Sequence, residues 1–506
     1  MGDFVISPKE YIIEDFSLFL KTKPKVVLSN KSINLIKNSR KILVNAVKNE
    51  ATIYGVNTGF GKLSQVKIPE NKISKLQENL ILSHATGLGK PIENNIVRLI
   101  ILTKIISLSK GFSGIRIEVI QRLIDFLNYG CLPVIPSQGS VGASGDLAPL
   151  AHMTLPILGF SKLNYNDDIL DSKEVLNNLK LKSIQLSYKE GLALINGTQF
   201  SLAHAIYAAI QSKKIIKHCD IIGAITVEAL LGTDQAFLDE VHLLKPHKGQ
   251  INSAKNIYNL LQNSEIKASH HNCGRVQDMY CIRCMPHVHG ASRENLDYFY
   301  KVTENEINSV SDNPIILMNG KVISSGHFHA QAIGQAMDSA AIAITTLGAI
   351  SERRNSALVN GDFGLPPFLV ENAGLNSGFM ITQITSAAIA SENKSLSTPS
   401  TVDSIPTGAG QEDFVSMAPW AGRKLNIIIS NVEKILSIEL ITAIQAMDFR
   451  NSLKSSPPLE SVRKLVRSKI PKLVEDRLME DDLQIAIELV RSGNIIVKVE
   501  DQLKLN

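Results

Sequence analysis

Apolar residues recur along most of this chain at steps of three and four, the spacing that paints one face of an α-helix. The run 419–449 is the clearest, with Leu425, Ile428, Val432, Leu436, Leu440, Ala443 and Met447 on a single stripe. Residues 31–50 and 92–129 carry the same spacing, and each ends near a loop signal. A further run, Ile333–Ala357, is rich in Ala and other small residues, which suits close helix–helix packing. Strict alternation of apolar and polar positions, the mark of a half-buried strand, is scarce. Neither a repeat nor a low-complexity linker interrupts the pattern. Two glycine-rich loops do: Tyr54-Gly55-Val56-Asn57-Thr58-Gly59-Phe60-Gly61, and the segment from Gln138 to Asp146. The pattern predicts a mainly α protein, with long helices in a bundle and loops in front of them.

Composition narrows the picture. Hydrophobic residues make up 44% of 506 and charged residues 20%, enough apolar surface to offset the entropy of ordering the chain. At this length one compact core is not expected, because cores stop growing at roughly 250–300 residues. Aromatic residues are 5%, with a single tryptophan, Trp420, a poor basis for a sugar-binding or base-stacking surface. The net charge is +5, and residues 1–110 hold 17 Lys and Arg against 8 Asp and Glu. Those basic residues are scattered singly, with no dense block to neutralise a phosphate backbone, so nucleic acid is not an expected partner. The start, Met1-Gly2-Asp3-Phe4, lacks the basic and apolar regions of a signal peptide. The longest apolar stretches, such as Ala340–Ile350, stop near a dozen residues and fall short of the roughly 18 that span a membrane. Five cysteines in such a chain suggest reduced thiols and a cytoplasmic protein.

Three candidate chemistries compete. His270, His271, Cys273, Cys281, Cys284, His287 and His289 fall within twenty residues, and Cys281-x-x-Cys284 resembles half a zinc site. Cys281, Cys284 and His287 would follow one another along a helix, however, and the second close pair of a structural site is missing, so no metal is expected. Neither glycine-rich loop has a phosphate-cradling spacing, and Ser144 fails the nucleophile-elbow spacing. Ala143-Ser144-Gly145 offers something else. The nitrogen of Gly145 can attack the carbonyl carbon of Ala143, because glycine lacks the side chain that would block so tight an approach. Loss of water from the ring and from Ser144 would leave a dehydroalanine-containing imidazolone, an electrophile that no ordinary side chain supplies.

The context of that tripeptide decides its meaning. The segment Gly139-Ser140-Val141-Gly142-Ala143-Ser144-Gly145-Asp146-Leu147-Ala148-Pro149-Leu150-Ala151-His152 closely resembles the cofactor loop of the aromatic amino-acid ammonia-lyases. Further matches include the Tyr54–Gly61 loop, Leu76-Gln77-Glu78-Asn79-Leu80, Ser83-His84, Gly191–Thr198, Val276–Tyr280, Ser311-Asp312-Asn313-Pro314, Ser351-Glu352-Arg353-Arg354, Ser391-Glu392-Asn393-Lys394 and Val402–Pro406. They cover about residues 50–450 in order. The resemblance implies the fumarase/aspartase-like ammonia-lyase fold, with an N-terminal helical region over residues 1–197 carrying the catalytic Tyr and cofactor loops. A long-helix bundle over 198–506 would supply the remaining active-site residues and the homotetramer contacts. It also implies a 4-methylidene-imidazol-5-one (MIO) group formed autocatalytically, with Ala143 and Gly145 cross-linked, Ser144 as 2,3-didehydroalanine, and no external cofactor.

Within the family, Ser83-His84 resembles the selectivity pair of the enzymes that act on histidine, where the phenylalanine and tyrosine enzymes look like Phe-Leu and His-Leu. Glu412 stands where plant-type phenylalanine enzymes look like Gln. A carboxylate answers an imidazole N–H with a charge-assisted hydrogen bond, whereas a phenyl ring would leave it desolvated and unpaired. Both markers imply elimination of ammonia from L-histidine to give trans-urocanate, the first step of histidine breakdown. The alternatives are a tyrosine or phenylalanine ammonia-lyase, an aromatic 2,3-aminomutase, and a silent helical scaffold. Carried over by position, Tyr54 is the base for a β-proton and Arg283 the fork for the substrate carboxylate. Gln277 and Tyr280, on one helical arc with Arg283, orient the amine and the electrophile. Asn196 bonds the carboxylate or the ring oxygen, and His84, Phe328 and Glu412 form the imidazole pocket. Departures cluster there too. The usual Gly-Gly-Asn-Phe-His is Ser325-Gly326-His327-Phe328-His329, and the usual Ser-Ala-Asn-Gln-Glu-Asp-His is Gly408-Ala409-Gly410-Gln411-Glu412-Asp413-Phe414. His287 replaces a common Gln and Met279 a common Pro.

Overall fold

The computed structural model describes residues 2–49, 51–270, 274–450 and 453–506. Helix dominates, and the described strands are two to four residues long and form four small sheets. The chain divides into two compact units, one of Met1–Tyr207, Tyr300–Asp338 and Pro399–Arg423, the other of Ala208–Phe299, Ser339–Thr398 and Lys424–Asn506. Four long helices carry the chain across those boundaries: Gln199–Ala229, Met285–Ile307, Gln331–Val359 and Ala418–Met447. The last two coincide closely with the runs read from sequence.

In the first unit, Asn30–Lys48 starts where Ser29 caps it, the hydroxyl accepting from Ser32 N. The helical run expected over 92–129 comprises two helices, Asn94–Ser109 and Ile117–Tyr129. Gly111 and Gly114 break it, at φ 79° and 65°, a left-handed backbone that costs glycine little. Asn94–Ser109 is buried on nearly every side, so it packs as a central helix. Ile117–Tyr129 ends on Gly130 at φ 70°. The Tyr54 loop is pinned by its neighbours: Ile53 and Val56 are buried with Leu43 and Ile316 in one apolar cluster, which fixes the backbone on both sides of Tyr54.

In the second unit, three of the long helices share a buried polar tie. Arg354 grips Glu439 with two bonds of 2.5 and 2.9 Å, and the same carboxylate accepts from Thr226 at 2.7 Å and Ser351 at 2.6 Å. All four of these bonds are buried, where they are electrostatically strong. Gln331–Val359 is long and apolar enough, by length and composition, to cross a membrane. Its apolar window is 67% buried within the protein, as in a core helix. The apolar stretch Ala340–Ile350 is shorter because Asp338 and Ser339 bound it on one side and Ser351 and Glu352 on the other, although the average over the longer window is still apolar.

Candidate active site

The cofactor-loop residues occupy a turn built around Gly145. Its φ is +75°, and a Cβ placed there would stand 2.2 Å from the carbonyl oxygen of Gly197. Gly145 and Gly197 form a backbone bridge, and Asp146 N donates to Gly197 O at 2.8 Å. The Asp146 side chain is buried and accepts from Ser201 N and Oγ at 2.9 and 3.0 Å. Burial raises its pKa to about 6, against those hydrogen bonds. Asn196 Nδ2 donates to Ser144 O at 3.2 Å, and Asn196 Oδ1 is buried with no hydrogen-bond partner among the described residues. On the other side, Ser144 Oγ donates to Glu412 Oε1 at 2.9 Å. Ser144 therefore meets residues 52 and 268 positions away along the chain.

A cavity of about 1270 Å³ opens over this turn. Tyr54, His84, Ala143, Ser144, Asn196, Phe328 and Glu412 all line it. Seven of the residues expected from the sequence are thus brought together. The Tyr54 ring stands edge-on to Phe60, with centroids 6.4 Å apart, and its Oη accepts from Gly61 N at 3.1 Å. His84 ends the helix Ile73–His84, its Nδ1 hydrogen-bonded to Ser83 Oγ at 3.0 Å. Burial lowers the His84 pKa, and the Glu412 carboxylate opposes that. Phe328 lies in the loop ahead of helix Gln331–Val359, where Ser325 Oγ also pairs with His327 Nδ1 at 2.7 Å. His329 stacks on Phe414 with centroids 6.2 Å apart. Leu80, Leu147, Leu192 and Ile195 give the wall its apolar part.

Gln277, Tyr280 and Arg283 belong to the second unit and are not among the lining residues. They form a set of their own. Arg283 lies over the Tyr280 ring at 4.7 Å, and its Nη2 donates to Gln277 Oε1 at 2.7 Å. Tyr280 is 71% exposed. The single helical arc expected for the three is corrected: the helix is Tyr280–Arg283, and Met279 before it is extended (φ −59°, ψ 155°), so Gln277 sits outside the helix. Cys281 lies in that short helix, Cys284 at its end, and His287 in the next, Met285–Ile307. His270 pairs with the Ile266 and Gly232 carbonyls, and His289 with Asp220. Among the described residues no three His, Cys, Asp or Glu converge on a metal position; His271 and Cys273 lie outside the described residues.

Two residues without an expected role hold the site together. Gln77 is fully buried; its Nε2 donates to Gly55 O at 3.1 Å and its Oε1 accepts from Leu192 N at 3.2 Å, joining the Tyr54 loop to the helix that leads to Asn196. Lys104 donates to Asn196 O at 2.7 Å and Ala193 O at 3.3 Å. Burial lowers its pKa to about 7, although Asp312 and Asp146 favour the ammonium.

The aromatic amino acid lyase family matches residues 12–468. A histidine ammonia-lyase of Caldanaerobacter subterraneus subsp. tengcongensis is 45% identical over 98% of both chains. Among solved structures, histidine ammonia-lyase from Trypanosoma cruzi superposes with a TM-score of 0.92 at 37% identity, covering 99% of this chain and 95% of its own. A tyrosine aminomutase from Streptomyces globisporus reaches 0.94 at 29% identity, over all of both chains. With the family pattern covering most of the chain and near-full-length relatives above 40% identity, the chain belongs to the aromatic amino acid lyase family.

Proposed function

We propose that this protein is a histidine ammonia-lyase, a carbon–nitrogen lyase that eliminates ammonia from L-histidine to give trans-urocanate. The observation that carries the reading is the Glu412 carboxylate, one hydrogen bond from Ser144 in a cavity whose walls are otherwise largely apolar. A phenyl ring would leave its Oε1 desolvated without a partner, whereas an imidazole N–H satisfies it. Relatives named histidine ammonia-lyase support the same substrate.

The residues fit an MIO group made from Ala143, Ser144 and Gly145. No Cβ could occupy the Gly145 position, and Asn196 Nδ2 already addresses the Ser144 carbonyl, which would become the ring oxygen. When formed, that group supplies the electrophile that captures the substrate and turns its amine into a better leaving group. In this proposal Tyr54 takes the β-proton, Glu412 accepts the imidazole N–H, and His84 and Phe328 flank the ring. Arg283 pairs with the carboxylate while Gln277 and Tyr280 orient the electrophile and the amine. The 1–197 and 198–506 division of these roles and assembly as a homotetramer are parts of the same proposal and rest on the resemblance.

Ultraviolet absorbance with L-histidine, L-tyrosine and L-phenylalanine offered separately tests it, because each elimination conjugates a new double bond to the ring. A rise with histidine alone is expected. A rise with an aromatic substrate alone, or a β-amino acid among the products, refutes the assignment. Ser144→Ala is expected to fold, to retain the mass of an unprocessed chain and to lose at least a thousand-fold in kcat; full turnover would remove Ser144 from the mechanism.

A further inference from the structure

Resting on that reading, we infer that Thr407 is the positioning residue that aims the Glu412 carboxylate. A carboxylate on a four-bond side chain at the rim of a wide cavity has many rotamers, and nothing in its own chemistry selects one. Here one of its two oxygens is already taken. Thr407 Oγ1 donates to Glu412 Oε2 at 2.8 Å, which leaves Oε1 facing Ser144.

The backbone between them enforces the pairing. Thr407 N donates to Glu412 O at 2.9 Å, and Glu412 N to Thr407 O at 3.3 Å, closing a tight loop. Gly408, Ala409 and Gly410 turn it with three successive positive φ values of 57°, 57° and 82°. Ala409 holds a left-handed conformation that a side chain disfavours, so the closed ladder keeps it there. A Cβ on Gly408 would stand 3.0 Å from the Glu412 carboxyl, so this glycine leaves the carboxylate its room.

Formation of the electrophile removes Ser144 Oγ as water, and Oε1 then loses the partner it has here. Oε2 keeps Thr407. Thr407 thus presents one unpaired carboxylate oxygen, in a fixed direction, to the imidazole N–H that enters. Its role is specificity for the ring; the proton and amine chemistry lies elsewhere.

The test is a double-mutant cycle on the full-length enzyme. Thr407→Val keeps the shape and removes the donor at a half-buried loop position, so the fold has little reason to fail. It is expected to raise KM for L-histidine about ten-fold or more, the worth of one hydrogen bond to a charged group. Intact mass should still show loss of two waters, and the melting temperature should match the parent. Thr407→Ser should restore KM. In a Glu412→Ala background, where Thr407 has no side-chain oxygen to donate to, Thr407→Val should add nothing. An unchanged KM in Thr407→Val while Glu412→Gln raises it, or two effects that simply add, would overturn the positioning role alone. An unchanged KM in Glu412→Gln would overturn the underlying reading of the pocket. Were Thr407→Val to misfold, Thr407→Ser and Thr407→Ala carry the same comparison.

Discussion

At the scale of single residues, the site depends on atoms that are missing as much as on those present. Gly145 has no room for a methyl group against Gly197 O, and its φ of +75° lies where alanine is strained. Gly145→Ala is therefore expected to abolish processing, read as an intact mass with both waters retained, and to lower the melting temperature. A processed mass in that variant would mean that the 145–197 contact is dispensable. The Ala-Ser-Gly tripeptide and Asn196 were legible in the sequence because neighbouring residues carry a recognisable pattern. Lys104 was not. It is one cation in the apolar helix Asn94–Ser109, and its acceptor on Asn196 lies 92 residues away. Gln77 escaped for a related reason: a glutamine on the buried face of Ile73–His84 reads as a break in the stripe until both of its bonds are seen.

Among elements, periodicity located the long helices but not what holds them to one another. Leu425, Ile428 and Val432 mark the buried stripe of Ala418–Met447, yet Glu439 in the same helix is fully buried as well. Its partners come from two other helices, Gln199–Ala229 through Thr226 and Gln331–Val359 through Ser351 and Arg354. Glu439→Ala strands the Arg354 guanidinium in the interior and should cost about 3–5 kcal/mol, seen as a fall in the urea midpoint. A loss under about 1 kcal/mol would mean that water reaches Arg354 there. The split of 92–129 has the opposite lesson. Apolar spacing continues through Lys110–Arg116, and only the backbone angles of Gly111 and Gly114 end one helix and let the next begin.

For the molecule as a whole, one buried acid makes a distinct contribution to the pH response of stability. Glu228 is buried and accepts from Ser264 Oγ at 2.5 Å; burial raises its pKa from 4.5 to about 7. Between those values the folded state holds a proton that the unfolded chain has released. The stability this provides is fully present below pH 4.5 and is lost as pH rises through 7. Glu228→Gln should remove that dependence, narrowing the difference in urea midpoint between pH 5 and pH 8 by the equivalent of about 3 kcal/mol. An undiminished difference would assign the pH response to other groups, Asp146 first among them. The two-unit division was not legible from composition, because its boundaries fall largely inside continuous helices where no linker signal exists.

The distances along the chain that meet at Ser144 have a consequence for how the reagent comes into being. The tripeptide leaves the ribosome 52 residues ahead of Asn196 and 268 ahead of Glu412. Until both arrive, neither of these contacts to Ser144 can form. A reactive alkene exposed on a growing chain would meet the amines and thiols of its surroundings; here it has no reason to exist before the walls that enclose it. Under the proposed chemistry the enzyme therefore arms itself only after passing its own inspection. The processed fraction of a preparation then counts correctly folded molecules, and a change that delays folding would surface as chains that are whole but unarmed.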